Sequence, residues 1–130
     1  MSNFRFRKSD RLKRRKVIEA IFSSGQSVHA FPIHLIWTTS ERIGPSHIQV
    51  GFTAPRRKFK RAVDRNLLKR RMKEAYRLNK HLITDTITSE KDQISVMCLY
   101  LSGDILTFDV IQKGMTTALK RLADKHNRVD

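Results

Sequence analysis

The stretch Arg56 to Leu78 reads RRKFKRAVDRNLLKRRMKEAYRL. Ten of its first eighteen positions are basic (Arg56, Arg57, Lys58, Lys60, Arg61, Arg65, Lys69, Arg70, Arg71, Lys73) against one acid, Asp64. Such a density repels itself unless a polyanion neutralises it. The order of the residues gives that charge a shape. From Ala62 to Leu78 there is no Gly and no Pro, and most residues are good helix formers. At about 100° per residue, Val63, Leu67, Leu68, Ala75 and Leu78 fall on one side of a helix, with Arg65, Asn66, Lys69, Arg70, Lys73 and Arg77 on the other. The helix is expected to bury one face and fix a row of cations on the opposite one, which a disordered basic tail has no need to do. Arg71 breaks the pattern by projecting toward the apolar side, and it is expected to snorkel, its stem buried and its head in water.

Composition sets the bounds around this element. The chain has 130 residues, one domain's worth, with 39% hydrophobic and 30% charged residues, which fits a folded protein. Its net charge of +15 is unevenly placed: residues 1–78 carry 20 Lys and Arg against 5 Asp and Glu, whereas residues 79–130 carry 7 of each. The polyanion is therefore expected to meet the first two thirds, with nucleic acid the leading class and an anionic membrane surface second. A membrane surface is disfavoured because the cationic face carries no large apolar residues to insert. No stretch approaches the roughly 20 apolar residues of a membrane span. The single cysteine, Cys98, excludes an intrachain disulfide and favours a reducing cytoplasm. It lies in an apolar run and is read as an inert core thiol.

Outward from the basic stretch, Met1 to Lys16 holds eight basic residues and one acid, and residues 1–10 are read as a flexible arm of a single domain spanning 1–130. Val17, Ile18, Ile21 and Phe22 recur at helical spacing before Gly25, predicting a helix from about Arg14 to Ser24. Val28 to Thr39 reads as one strand, with Pro32 near its start or on an edge. Ile48, Val50 and Phe52 alternate in a second strand, and the short connection through Gly44-Pro45 predicts that the two pair as an antiparallel hairpin. Asn79 to Gln93 has no clear period and reads as a helix end and connection. Ile94 to Leu101 is a nearly unbroken apolar run, as in a strand covered on both sides. Leu106, Val110, Ile111, Met115, Ala118, Leu119 and Leu122 mark a closing helix, with Gly114 a weak point inside it. The expected fold is α+β: a two-layer sandwich in which helices pack on one face of a sheet of about four strands, leaving the other face partly open as a platform for RNA.

The residues that two-metal hydrolysis or phosphate cradling needs are missing from the chain, and a paired-histidine mechanism of the pancreatic-ribonuclease kind is the minor alternative left open. The 12 acids are scattered, the five histidines form no short metal-ligand pair, and all five Gly are isolated, so there is neither a two-metal carboxylate cluster nor a phosphate-cradling loop. No catalytic residue and no metal ligand is assigned, and the chemistry is expected to belong to a partner.

The run from Lys60 to Glu74, KRAVDRNLLKRRMKE, resembles the RNR signature of the protein subunit of bacterial ribonuclease P, approximately K-R-A-V-x-R-N-x-x-K-R-x-x-R-E. Arg65, Asn66, Lys69 and Arg70 stand at signature positions in register. Lys73 replaces the more usual Arg, keeping the charge without the bidentate fork, and Arg71 replaces an apolar residue. Arg11-Leu12-Lys13 followed by Phe22 and Gly25 is similar to the family's opening pattern, with Ile18 where a first aromatic usually stands. The resemblance implies a fold like the second domain of ribosomal protein S5, with a left-handed βαβ crossover through the RNR helix. It also implies a monomeric protein in a 1:1 complex with ribonuclease P RNA, which holds the magnesium ions and cuts the 5′ leader from precursor tRNA. The protein itself binds no cofactor. On this reading the RNA subunit meets Arg65, Asn66, Lys69, Arg70 and Lys73, supported by Arg56, Arg57, Lys58, Lys60 and Arg61. The leader lies in a cleft between the first helix and the sheet, near Phe22. Stacking chemistry adds Trp37 as a candidate there, although a core position suits that residue better. The alternative is a ribosomal or general RNA-binding module, for which a basic helix on a sandwich serves equally well.

Overall fold

An apolar run with no polar side needs neighbours on every side, and the chain places it accordingly. Residues 93–98 of β4 (Asp92–Tyr100) are all buried, and β4 occupies an interior position in a four-stranded sheet of order β1-β2-β4-β3. The computed structural model describes residues 6, 8–41, 47–86 and 92–128. In chain order α1 (Arg15–Ser24) leads to β1 (Gln26–Ala30), β2 (Ile33–Glu41) and β3 (Ile48–Thr53). There follow α2 (Ala62–Asn79), the short α3 (His81–Thr84), β4 and α4 (Phe108–Arg128).

The sheet is mixed. β4 runs antiparallel to β2, with Leu35 opposite Cys98, and parallel to β3, with Val50 opposite Val96. This corrects two expectations. β2 and β3 do not form a hairpin, because β4, apolar on both faces, takes the slot between them and leaves the shorter β3 at the edge. The expected single strand over Val28 to Thr39 is two strands: the chain turns at Phe31-Pro32, joined by a cis peptide, and β1 folds back antiparallel on β2 with Ala30 opposite Ile33. Of the two places expected for Pro32, the strand's start is the one found: β2 begins at Ile33, directly after it.

Alternation along β4 divides the interior. Ile94, Val96, Cys98 and Tyr100 join a core completed by Leu68, Met72, Ala75 and Tyr76 of α2, Ile83 of α3, and Ile111, Met115, Ala118, Leu119 and Leu122 of α4. Met97 points the other way, into a small cluster with Leu12 and Ile21. Hence α1 lies alone on the face opposite α2 and α4, contrary to the expectation that the helices share one face. Burying Leu68, Met72, Ala75 and Tyr76 (i, i+4, i+7, i+8) also rotates α2 from the expected stripe: Val63 is 59% exposed. Arg71 is half-buried, and its Nη1 donates to the Leu106 carbonyl at 2.6 Å, so its head finds a backbone acceptor at the core edge. Gly114 is no weak point: a Cβ there would lie 2.7 Å from the Phe31 carbonyl oxygen and 2.8 Å from Pro32 Cδ, so the missing side chain lets α4 press against the turn. Cys98 is fully buried with its Sγ 3.8 Å from Met72 Sδ, and desolvation pushes its pKa well above the usual thiol range.

The segment before α1 is tied down. Lys8–Asp10 form a single 3-10 turn, Arg11 bridges to Val50 alongside β3, and the Leu12 N–H donates to the Val50 carbonyl at 3.1 Å. Asp10 sits 3.8 Å from Lys80 Nζ, and the Phe6 ring packs against Phe52 and Tyr76, each with centroids 5.9 Å apart. Of the stretch read as an arm, Phe6 and residues 8–10 are therefore docked, and residues 1–5 and 7 lie outside the described residues.

Candidate nucleic-acid interface

Four residues spaced i, i+3, i+4, i+7 share one face of a helix. Asn66, Lys69, Arg70 and Lys73 have that spacing on α2, and together they form one wall of a groove of about 600 Å³. Its floor and opposite wall come from Val50, Gly51 and Phe52 of β3, Met97 of β4, Ile18 of α1, and Phe6, Arg11 and Leu12 from the segment before α1. α1 and α2 pack on opposite faces of the sheet, and Ile18 of α1 and the cationic side of α2 both border the groove at the edge strand β3. Gly51 keeps the floor low: a Cβ there would meet Met97 Sδ at 2.7 Å.

The groove's charge is uncompensated among the described residues. Among the described residues, none of Arg11, Lys69, Arg70 and Lys73 has a carboxylate partner. Lys73 Nζ lies 5.1 Å from the centroid of the Phe6 ring, a cation–π contact that holds the ammonium at the groove wall. Arg77, the next cation along α2, is withdrawn: it pairs with Glu74 at 2.5 Å, and that hydrogen bond lowers the Glu74 pKa.

The loop before α2 is built differently. Phe59 is buried, its ring edge-on to Tyr100 at 5.8 Å, and this anchor leaves Arg56, Arg57, Lys58, Lys60 and Arg61 exposed around it. Lys58 Nζ donates to the Leu101 carbonyl at 3.1 Å. Arg65 is half-buried, and its Nη1 donates to the carbonyls of Phe59 at 2.8 Å and Lys60 at 2.9 Å, fastening the loop to the first turn of α2. The structure thus gathers Asn66, Lys69, Arg70 and Lys73 in the groove and sets the loop cations and Arg65 at the N-terminal end of α2, outside the groove lining.

The two aromatic candidates fall elsewhere. Trp37 is 1% exposed in the main core, its ring 5.9 Å from Lys125 Nζ, so it has no face for a base. This corrects its place in the cleft; β2 turns Trp37 toward α4, away from α1. Phe22 is 51% exposed on α1 but does not line the groove, where Ile18 stands instead. The groove residues that the sequence did not put forward for binding are Phe6, Arg11, Leu12, Ile18, Val50, Gly51, Phe52 and Met97. Phe6 carried a signal, an aromatic that alternates with Phe4 and the arginines of a basic segment; the strand residues carried none until the order of the sheet was known. Among the described residues, no three His, Cys, Asp or Glu side chains are placed to hold a metal ion, and no helix is long and apolar enough to cross a membrane.

A cationic helix wall beside an apolar floor, on a four-stranded mixed sheet, can be compared with known proteins. The family model described as Ribonuclease P matches residues 6–123. The chain belongs to the ribonuclease P protein family. Among its relatives, the ribonuclease P protein component of Porphyromonas gingivalis is 28% identical over 122 residues, covering 94% of this chain and 89% of the relative. That of Geotalea uraniireducens is 36% identical over 80 residues, 62% of this chain and 67% of the relative. The fold is shared with solved structures of ribonuclease P proteins. The Thermotoga maritima protein aligns with a TM-score of 0.66 at 22% identity, over 85% of this chain and 96% of that one. The Staphylococcus aureus protein aligns at 0.64 and 23% identity, over 88% and 96%. The family match reaches from Phe6 through most of α4, so the docked N-terminal segment and the groove both lie inside it.

Proposed function

We propose that this chain is the RNA-binding subunit of a ribonuclease P, acting in maturation of the 5′ end of tRNA as a single domain in a 1:1 complex with the RNA subunit. In this reading the RNA subunit holds the catalytic magnesium ions and cleaves the precursor. The protein supplies no catalytic group and no cofactor site of its own. The observation that carries the reading is the groove itself, where uncompensated Arg11, Lys69, Arg70 and Lys73 border an apolar floor at Leu12, Ile18 and Met97. Single-stranded RNA presents separate phosphates and free base faces, which suit cations beside an apolar floor, whereas a duplex hides its base faces in the stack. The exposed cations at the start of α2, Arg56, Arg57, Lys58, Lys60 and Arg61, then serve the folded RNA subunit by neutralising phosphates and releasing counterions. Arg65 supports that contact chiefly by holding the loop in place. The complex would work in the cytoplasm, where precursor tRNA is made.

The test is cleavage of precursor tRNA at low magnesium by the source organism's ribonuclease P RNA, with and without the protein. Rescue of accurate 5′ cleavage, with no activity from the protein alone, is expected. Tight RNA binding without stimulation would move the chain to the ribosomal or general RNA-binding class, and cleavage by the protein alone would overturn the non-catalytic reading.

A further inference from the structure

Beside the groove, where the segment before α1 runs along β3, lies a second pocket of about 460 Å³ lined by Lys8, Ser9, Arg11, Lys13, Arg14 and Gln49. Its four cations are exposed, and among the described residues none has a carboxylate partner; the acid in their midst, Asp10, is turned to Lys80. They are not on a loose tail. The Leu12 N–H is bonded to Val50, Arg11 bridges to the same residue, and Gln49 Nε2 donates to the Ser9 carbonyl at 3.1 Å. Four like charges held around one concavity raise each other's energy, and a ligand carrying closely spaced negative charges relieves this. Fixing them on a tied segment also removes the ordering entropy that a flexible arm would lose on binding. Arg11 lines both the pocket and the groove, so the two are contiguous at that residue.

We infer that this pocket is a second phosphate site, which takes successive phosphates of the RNA strand that leaves the groove past Arg11. The inference rests on the leader reading above and extends it. The leader is held at two stations: one where its bases meet an apolar floor, and one where only its backbone is gripped. The second station reads no sequence, since Lys and Arg on phosphates carry no base information, and it rewards leader length.

The experiment uses the reconstituted holoenzyme and two precursor tRNAs, one with a leader of roughly four nucleotides and one of roughly ten. The Lys13→Ala/Arg14→Ala variant suits it: both residues are exposed, and Arg14 makes no side-chain cap on α1. The wild type should bind the longer leader about tenfold more tightly, the order expected from two phosphate contacts. The variant should lose that gain and bind the short leader as the wild type does, with unchanged affinity for the RNA subunit. Equal loss on both leaders would assign the pocket to the RNA subunit or to the tRNA body and overturn the inference, as would retention of the gain. A wild type indifferent to the leader altogether would overturn the leader reading along with it; discrimination that survives in the variant would sink only the second site.

Discussion

Arg65 Nη1 lies 2.8 Å from the carbonyl oxygen of Phe59, and this bond makes a signature cation part of the protein's own framework. The same nitrogen also reaches the Lys60 carbonyl, so one side chain closes the basic loop onto α2. Arg65→Ala should therefore lower stability by about 1 kcal/mol, a magnitude set by partly exposed hydrogen bonds from a charged donor, and weaken RNA binding as the loop loosens. Arg65→Lys should recover only part of either effect, because its ammonium sits one bond nearer the backbone than the Nη1 that makes both contacts. Thermal unfolding of the free protein checks this; an unchanged melting temperature for Arg65→Ala would return the residue to a purely RNA-facing role.

Lys69 and Arg70 make no ion pair or hydrogen bond within the described residues, so their alanine variants should fold like the wild type. Each should reduce the slope of log affinity against log salt by about 0.7 to 0.9 for a lost phosphate contact. Binding measured across a salt series, beside a melting curve, separates this from misfolding.

The floor of the groove is tested at Gly51. An added Cβ meets the flexible end of Met97, so Gly51→Ala should be tolerated, whereas Gly51→Phe should fill the groove. Leader-dependent affinity in the holoenzyme should fall in Gly51→Phe, while assembly with the RNA subunit is retained. Retained leader binding would place the leader elsewhere.

Gly114→Ala raises helix propensity by about 1 kcal/mol, yet it should destabilise by about 1 to 3 kcal/mol, the usual range for overpacking. The obstruction is the backbone of Ala30 and Phe31 together with the Pro32 ring, none of which can swing aside like a side-chain tip. A urea midpoint at or above the wild type's would disprove the close approach.

His34 stacks on His29 with ring centroids 3.9 Å apart. Desolvation, and then the neighbouring His29, lower its pKa below the ordinary 6.5. A histidine with a depressed folded pKa binds its proton more readily in the unfolded chain. Its contribution is therefore intact above pH 6.5 and is lost as pH falls from there through the folded pKa. His34→Phe should flatten the decline in stability across that window. Melting temperatures of both proteins between pH 7.5 and 5 would show it, and parallel curves would exclude His34 as the source.

Much of this was legible because charge and apolar period coincide in one helix. Asn66, Lys69, Arg70 and Lys73 could be placed on one face from spacing alone, and the unbroken run from Ile94 announced a buried strand. What failed was pairing. Two strands with a short connection invite a hairpin, and only the two-sided burial of β4 shows that something must come between them. The Phe31-Pro32 turn has no Gly or Asn to mark it, so β1 and β2 read as one strand. Val63 was set on the buried side and Met72 and Tyr76 overlooked because a helical wheel gives angles without showing where the sheet lies. Phe6, Gly51 and Met97 line the groove through contacts between segments far apart in the chain, which no local pattern records.

The position of β4 also bears on how the protein is made. α2 follows β3, on whose Phe52 its Tyr76 packs, but precedes most of its core partners: Met72 awaits Cys98, and its neighbours on α4 come later still. The chain therefore emerges with its most basic segment only partly supported, and β3 lacks its ladder with β4 until residue 92 has followed. A product truncated ahead of β4 would be a polycation without a binding face, attracted to any RNA in reach. Under the proposed function, selectivity would arrive with the last third of translation, conferred by a segment that carries no net charge and, among the described residues, touches the groove at Met97.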